Sequence, residues 1–476
     1  MKHASIAALG VLVCMFAMPG ASPAAPAATI ISTTQSATTR MVSVTFDLSE
    51  PAIVTLGAQT SADGGSTWAD IDGYVVHVVG DVNKKLAAGN GYTALWDADL
   101  DWPGHPGSGE AFRPVVRCWT EDDPPDWFVM SLLDKSRRWY FTDARQIPGG
   151  VTNRLYKTDY LVMRRIHARD VVWQMGSDSS EPGRMAGTQD GGETPQHYVK
   201  LTHDYYMAVF PGTKGQSVRL FSSSLSTSGN PDWFPVNSCH HLFLRGYRAA
   251  SGQPWSYVSG AEDPVAGSNL DKLRAATGLA FDIPTEAQWE FACRAGTATA
   301  RYDMECDVDD MGWHSGNSGG AIHEVGLKKP NPWGLYDMYG NVTEWCRDYS
   351  GGYGTAATPS AAIVDPAGPA SHERNYRVKR GGSSRSPAAN WFRSARRGYC
   401  DQSWTTTPNA SDGGGSGSGS DYFSGYRLVI DLPASAASTS AAPGAADAFQ
   451  TFAIDEEFSA GVNFSTMPSG TVILFH

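Results

Sequence analysis

Short runs of alternating apolar and polar residues characterise the first third of the chain. Clusters of Gly, Asp and Asn at 63–65 and 89–91 separate these runs. Period-two alternation between turn residues is typical of half-buried strands, which are predicted here at 41–48, 52–56, 74–79 and 112–117. We therefore expect an all-β sandwich over 30–135, immunoglobulin- or fibronectin-like. An N-terminal elaboration packed on the rest of the chain fits the same pattern.

Helical periodicity is sparse in the remainder of the chain. The strongest helix signal covers 285–294, where Pro284 and Thr285 occupy start positions and Gly296 follows the end. Short strands and long loops are expected elsewhere. The predicted fold class is α+β with much irregular loop.

The two ends of the chain differ in composition from its middle. Lys2 and His3 precede an apolar run at 4–18, and small residues continue to position 25. This pattern is typical of a signal peptide, here 1–25, because the run is too short to span a bilayer. We expect an exported protein in the periplasm, on the cell surface or outside the cell, with no transmembrane segment.

Three low-complexity or terminal segments follow the main part of the chain. A Gly/Ser run at 412–420 predicts a flexible loop, and an Ala/Ser/Pro-rich linker occupies 433–448. The tail at 449–476 contains the apolar run 472–475. Docking of this run as an edge strand and a role in attachment are both open.

Six separated motifs between 158 and 432 resemble the sulfatase-modifying-factor family, whose founding member is the formylglycine-generating enzyme. They occur in the family's order and read WQMGS at 173–177, ETPQHYV at 193–199, IPTEAQWEFACRAG at 283–296, NPWGLYDMYGNVTEW at 331–345, RGGS at 380–383 and GYRL at 425–428. The resemblance implies a fold related to C-type lectins over 158–432.

The resemblance also identifies the positions at which formylglycine-making members hold Cu(I) with two cysteines. Aligned from Gly-Gly-Ser, this chain has Ser386 and Trp391 there; aligned from Arg393 onward, it has Ser384 and Ala389. Cu(I) requires soft thiolate ligands, so copper is not expected. An oxidase with displaced ligands would need Cys400 together with Cys239 or Cys306.

Six cysteines remain after the predicted signal peptide, an even number in a compartment that permits disulfides: Cys118, Cys239, Cys293, Cys306, Cys346 and Cys400. We expect disulfides, with open pairing.

The resemblance further implies a Ca²⁺ site at Asp337, Gly340, Val342 and Glu344. Carboxylate and carbonyl oxygens are the ligands that this hard cation prefers. Alternatively, Asp337 and Glu344 accept hydrogen bonds from backbone amides in turns.

Eight basic residues crowd 374–397 in a chain of net charge −12. The predicted binding groove comprises Arg385, Ser386, Trp391, Arg393, Arg396 and Arg397, because guanidinium groups bind carboxylate or sulfate and Trp offers a stacking face. In the alternative interpretation, these arginines brace a loop-rich core. The acidic balance argues against nucleic acid as a partner.

These patterns predict a non-catalytic protein that binds a polypeptide, glycan or envelope component. Two alternatives remain: a copper- and oxygen-dependent formylglycine-generating oxidase with displaced thiols, and a structural envelope protein that forms a stable oligomer. A serine hydrolase is disfavoured. Serines of the Gly-Gly-Ser segment could act as nucleophiles and His314, His323 or His372 as bases, but the sequence gives no geometry that links them.

Overall fold

A computed structural model of the chain describes residues 25–36, 38–71, 73, 75–101, 112–187, 191–225, 229–246, 248–250, 253–256, 259–401 and 423–433. The predicted Gly/Ser run lies outside the described residues. So do the signal peptide, apart from Ala25, and the linker and tail, apart from Pro433.

Within the described part of 25–119, the N-terminal unit contains eight strands and one short α-helix. They are β1 (Ala28–Gln35), β2 (Met41–Leu48), β3 (Ala52–Thr60), β4 (Ala69–Asp70), β5 (Val78–Gly80), β6 (Lys84–Leu86), β7 (Gly89–Asp97), α1 (Ala98–Asp101) and β8 (Phe112–Trp119). One sheet has the order β1-β2-β7-β5, and in the other β3 pairs with β4, β6 and β8.

Alternation along β2 explains why the two sheets face each other. Val42, Val44, Phe46 and Leu48 are buried, whereas the residues between them are partly exposed. They pack with Val54, Leu56 and Ala58 of β3 and with Trp96 of β7 in one apolar cluster. The two sheets therefore share one apolar core, whereas the immunoglobulin- or fibronectin-like class stays a prediction. The strand predicted at 74–79 is only Val78–Gly80.

Among the described residues from Trp127 onward, a larger unit contains four sheets. Its strands are β9 (Trp127–Ser131), β10 (Arg138–Phe141), β11 (Tyr160–Ile166), β12 (Val171–Met175), β13 (His197–Leu201), β14 (Tyr205–Ala208), β15 (Arg248–Ala250), β16 (Gln253–Ser256), β17 (Phe281–Asp282), β18 (Thr343–Tyr349), β19 (Ile363–Val364), β20 (Tyr376–Arg380), β21 (Gly398–Asp401), β22 (Ser424–Gly425) and β23 (Val429–Asp431). Its helices are α2 (Lys214–Phe221), α3 (His241–Arg245), α4 (Asn269–Thr277), α5 (Glu286–Arg294), α6 (Val308–Met311) and α7 (Ala388–Trp391).

The sheet orders are β10-β9-β11-β14-β23-β17, β12-β13-β19, β15-β16 and β21-β20-β18-β22. β9 pairs with β11 although it lies inside the interval 30–135 predicted for the sandwich. The boundary between the two units therefore lies before Trp127. The apolar strand Trp127–Ser131 is buried along its whole length, which suits an inner strand of the large sheet.

The best helix prediction is confirmed. α5 spans Glu286–Arg294, and the Thr285 hydroxyl accepts from the Gln288 backbone N–H at 3.1 Å while the Gln288 side chain accepts from the Thr285 N–H at 2.9 Å. These two hydrogen bonds satisfy the backbone N–H groups of Thr285 and Gln288, which have no carbonyl partner within the helix. All nine residues of α5 are buried, so the helix forms the centre of the larger unit.

The sandwich packs directly on the larger unit. Ile53 of β3 shares an apolar cluster with Phe128 of β9 and Leu432. The Tyr140 N–H donates to the Asn83 carbonyl at 2.9 Å. The N-terminal sheets are therefore in contact with the rest of the described chain. Among the described residues, no helix has the length and apolar character to cross a bilayer.

Candidate functional site

Two glycines turn the chain at the end of β20. Gly381 and Gly382 have φ values of +88° and +73°, which residues with a side chain rarely adopt. A Cβ added to Gly382 would lie 3.1 Å from the Trp391 Cβ. The turn brings Ser383 to Ser386 against the segment 313–323.

The turn is fixed by backbone and hydroxyl hydrogen bonds. The Ser384 N–H donates to the Asn341 carbonyl at 2.9 Å, and the Ser384 carbonyl accepts from the Ser318 hydroxyl at 2.5 Å. The Ser386 hydroxyl accepts from the Ser383 N–H at 3.0 Å. The Ser384 hydroxyl is buried and has no hydrogen-bond partner among the residues that the structure describes.

The arginines that follow the turn lie in the interior. Arg393 donates from Nη1 and Nη2 to the two carboxylate oxygens of Glu193, at 2.5 Å each, and from Nη1 to Glu181 at 2.9 Å. Arg396 stacks over the Trp391 ring at 4.3 Å from its centroid. All of these side chains are buried.

A second pair of arginines holds α5. Arg397 donates to both oxygens of Glu286 at 2.6 and 2.8 Å, and Arg380 donates to Glu286 at 2.9 Å and to Glu290 at 2.8 Å. Arg294 adds a bond to Glu290 at 2.8 Å. Burial alone would raise the pKa of Glu290, but the charges of Arg294 and Arg380 outweigh it and lower that pKa. This carboxylate is therefore ionised in the interior.

The structure thus divides the predicted binding groove. Arg393, Arg396 and Arg397 occupy bracing positions, as the alternative interpretation expected, and Ser386 and Trp391 are buried beside them. Because their charged groups are directed at internal carboxylates and an indole, the arrangement gives no support to direct ligand contact by these residues. Arg385 is the exposed member of the set.

Arg385 belongs to a surface that we call the Arg385 rim, formed by Trp313, Gly320, His323, Lys328, Arg385 and Phe423. The guanidinium lies 4.7 Å from the Phe423 centroid, and Nε donates to the Gly320 carbonyl at 3.1 Å. Trp313 stacks on His323 with centroids 3.8 Å apart, and Lys328 Nζ lies 3.9 Å from the Trp313 centroid.

The sequence did not identify most of this rim. Trp313, Lys328 and Phe423 are separated along the chain and belong to none of the six motifs. His323 was considered only as a possible base. The Lys328-Lys329 pair in an acidic chain is the only local signal that could have drawn attention to it.

Comparison with known proteins supports the resemblance in the motifs. The family model described as "Sulfatase-modifying factor enzyme 1-like domain" matches residues 173–431, more than half of the chain. The chain belongs to this family.

Several curated relatives share this domain. The formylglycine-generating enzyme of Thermomonospora curvata is 34% identical over 152 residues, 29% of this chain and 50% of that protein. The formylglycine-generating enzyme of Streptomyces coelicolor is 30% identical over 206 residues, 40% of this chain and 60% of that protein. The serine/threonine-protein kinase pkn1 of Chlamydia pneumoniae is 32% identical over 201 residues, 42% of this chain and 30% of that protein. The chain thus spans less than two thirds of the length of each of these relatives.

Among solved structures, Treponema denticola variable protein 1 aligns with a TM-score of 0.39 and 22% identity, covering 58% of this chain and 96% of that one.

Within this family fold, the positions expected for copper ligands carry no thiol. Ser386 is engaged by the Ser383 N–H, and Trp391 is enclosed by Gly382 and Arg396. Ser384, the alternative position, offers a buried hydroxyl, and the side chain of Ala389 lies outside the description. Hydroxyl and indole groups are poor ligands for Cu(I).

The five described cysteines are free thiols rather than disulfides. The expected disulfides are therefore wrong for Cys118, Cys239, Cys293, Cys306 and Cys346, whereas the side chain of Cys400 lies outside the described part of the structure.

Three of these thiols are buried in apolar clusters. Cys239 packs in one cluster, and Cys293 and Cys346 pack in another, where the Cys293 thiol donates to the Ser394 hydroxyl at 3.7 Å. Burial raises the pKa of Cys293 to about 12, and it also raises the pKa of Cys239 and of Cys346. These three thiols are protonated at neutral pH.

The predicted Ca²⁺ segment is held by protein partners. Both Glu344 oxygens accept from Arg427 and one also accepts from the Trp289 indole N–H at 2.7 Å. The Asp337 carboxylate accepts from the Gly326 N–H at 2.7 Å, and burial raises its pKa. The described residues contain no group of three or more His, Cys, Asp or Glu side chains arranged to hold a metal.

Gly340 and Val342, the other two positions of that segment, are also buried. The Gly340 N–H donates to the Gly381 carbonyl at 2.8 Å, which links this segment to the Gly-Gly turn. The carboxylate oxygens of Asp337 and Glu344 already accept hydrogen bonds from Gly326 and Arg427. The segment therefore does not match the expected set of Ca²⁺ ligands, and the Ca²⁺ site stays a prediction. Asp337 matches the alternative, because it accepts from a backbone amide, whereas the described partners of Glu344 are the Arg427 guanidinium and the Trp289 indole.

His314, one candidate base for a hydrolase, has no ring nitrogen available. Nε2 lies 2.6 Å from an Asp309 carboxylate oxygen, and Nδ1 accepts from the Gly316 N–H at 3.0 Å. The His323 Nε2 bonds the Ser318 carbonyl at 2.9 Å. These contacts position loops and give no nucleophile–base pair.

Proposed function

We propose that this protein is exported and that its sulfatase-modifying-factor domain binds a polypeptide, glycan or other envelope component without oxidising it. The observation that carries the proposal is the state of the copper positions. In one alignment Ser386 and Trp391 stand at these positions and are engaged by neighbouring groups, and in the other Ser384 and Ala389 stand there. A redox centre built on thiolates therefore has no ligands at this place.

The relatives are compatible with use of the domain apart from oxidation. Proteins named formylglycine-generating enzymes contain it, and so do proteins named serine/threonine-protein kinase pkn1. Function resides in particular sites on a fold, so proteins that share this domain need not share an oxidase activity. A binding role for the domain is compatible with such different names.

We place the contact at the Arg385 rim. Arg385 is exposed and its guanidinium is oriented by Phe423 and by the Gly320 carbonyl. Lys328 lies over Trp313, whose ring stacks on His323, a residue close to Gly320 along the chain. Because an oriented guanidinium binds carboxylate or sulfate by paired hydrogen bonds, the preferred ligand carries such a group.

The binding proposal is tested with immobilised peptides and acidic glycans. We expect retention of the wild-type protein on one of these classes and a loss of affinity of about tenfold or more for Arg385→Ala, because a hydrogen bond to a charged group contributes about 1.5–3 kcal/mol. Arg374→Ala removes an exposed arginine outside the rim and serves as the control. Equal binding by both variants, or no retention on either class, contradicts the proposal.

The oxidase alternative has a separate test. Purified protein is incubated with Cu(I), oxygen and a Cys-x-Pro-x-Arg peptide, and mass spectrometry reports conversion of cysteine to formylglycine. We expect unchanged peptide. Aldehyde formation would establish the oxidase and require thiols from Cys400 or another position.

A further inference from the structure

The first strand of the sandwich has an unusual edge. β1 is the outer strand of the order β1-β2-β7-β5, and among the described residues no strand pairs with its other side. Its eight residues, ATIISTTQ, include no charged residue and no proline. An exposed row of backbone N–H and C=O groups without these features is a template for pairing with another strand.

The other edges of the sandwich carry the features that β1 lacks. β8 contains Pro114, Arg113 and Arg117, and β6 contains Lys84 and Lys85. β4 and β5 are only two and three residues long. Charges, proline and short length are the usual protections of sheet edges, so the contrast is specific to β1.

Two apolar side chains project from this edge into solvent. Ile30 is 40% exposed and Ile31 is 57% exposed. The register of β1 on β2 shifts between Ile30 and Ser32, so Ile31 is the extra residue of a bulge. The bulge limits a regular ladder to Ser32–Gln35 and leaves Ile31 available to pack across a partner strand.

The occupant that best fits this edge is a second copy of the chain. A two-fold axis brings the same surface of both copies together, so a surface that carries charges of one sign meets charges of the same sign. This chain carries a net charge of −12, which disfavours self-contact at acidic surfaces. β1 is uncharged, and its Thr and Ile residues favour cross-strand pairs.

We propose that two copies associate through antiparallel pairing of β1 with β1 along Ser32–Gln35, with each Ile31 covered by the partner strand. Four-residue pairing with one apolar contact is small. The dimer is therefore weak and concentration-dependent, since interfaces below about 1,200 Å² are typical of transient complexes.

Sedimentation velocity of the full chain over a concentration series tests the association. We expect a monomer–dimer equilibrium in the wild type. Ile31→Lys weakens it by about tenfold or more, because a charge on an edge strand opposes strand pairing. Val79→Lys is the matched control: Val79 is 63% exposed on β5, at the opposite edge of the same sheet.

Single cysteines placed along β1 give a readout that does not depend on weakening the dimer. Four single variants are made in an otherwise wild-type chain and each is oxidised: Ser32→Cys, Thr33→Cys, Thr34→Cys and Gln35→Cys. We expect disulfide-linked dimers with a maximum at the positions nearest the two-fold axis, and none with Val79→Cys. The unsubstituted chain controls for the native thiols.

Three results would overturn the proposal. One is a monomeric wild type at all soluble concentrations, and another is an unchanged dimer in Ile31→Lys whose far-UV circular dichroism and melting match the wild type. The third is dissociation by Val79→Lys but not by Ile31→Lys, which would assign the contact to the β5 edge of the sheet.

Discussion

Single glycines determine the course of the loops around the Gly-Gly turn. Gly340 has φ of +77°, and a Cβ added there would overlap the Trp313 carbonyl oxygen. Both a left-handed conformation and a close backbone approach therefore require glycine at this position.

We expect Gly340→Ala to lower the melting temperature of the larger unit by several degrees. Gly319→Ala is the matched control: it also has a positive φ, +62°, but an added Cβ has nothing within 4 Å. The control variant should therefore lose only about 1 kcal/mol of unfolding free energy, which is the cost of a left-handed backbone conformation for a residue with a Cβ. Equal effects of the two substitutions in calorimetry would show that the close approach is unimportant.

The buried carboxylates also act at the scale of single residues. We expect Glu193→Ala to reduce the free energy of unfolding by about 3–5 kcal/mol, because Arg393 would keep a buried charge without its main partner. The measurement is urea denaturation followed by tryptophan fluorescence. Glu121→Ala removes an exposed carboxylate that pairs with Lys85 and should change stability very little. A similar loss in both variants would contradict the bracing role.

At the scale of elements, α5 connects the sheets to the turn. Its N-terminus is capped by Thr285 and Gln288, and its two glutamates accept from Arg380, Arg397 and Arg294. The helix is short, so these contacts rather than helix propensity hold it in place.

The cap gives a prediction for this helix. Thr285→Val removes the hydroxyl that accepts from the Gln288 N–H and should cost about 1 kcal/mol, whereas Thr285→Ser should retain most of it. The free energies of unfolding of the two variants provide the comparison. A valine variant as stable as the serine variant would exclude a contribution from the cap.

At the scale of the whole molecule, buried charge makes stability depend on pH. Asp348 is buried; burial raises its pKa to about 7, with the nearby Glu286 carboxylate adding to the shift. In the unfolded chain this group titrates near 3.8. Between these values the folded state binds the proton and the unfolded state does not, so stability falls as pH rises toward 7.

We therefore expect Asp348→Asn to flatten the pH dependence of stability between about pH 4 and 7, because asparagine stays neutral while it can still accept from the Glu286 N–H. Denaturation midpoints at several pH values test this expectation. The wild type and the variant should differ most near neutral pH. Parallel curves would mean that Asp348 does not titrate in this range.

Local patterns in the sequence were sufficient for several elements. The alternation at 41–48 matches β2, and the cap and glycine signals around 285–296 match α5. The six motifs were sufficient for the family, and the missing thiols were visible at Ser386 and Trp391. These features depend on residue type and on neighbours close along the chain.

Only the tertiary structure decided what the charged residues do. Arg393 meets Glu193 across two hundred positions of the chain, so the sequence could not distinguish a brace from a binding residue. The same holds for β9, whose apolar residues suit either unit, and for the contacts of the rim, in which Arg385 donates to the Gly320 carbonyl and Trp313 stacks on His323. Residue type determines which interactions a side chain can make, whereas the partner that it finds depends on how distant segments pack.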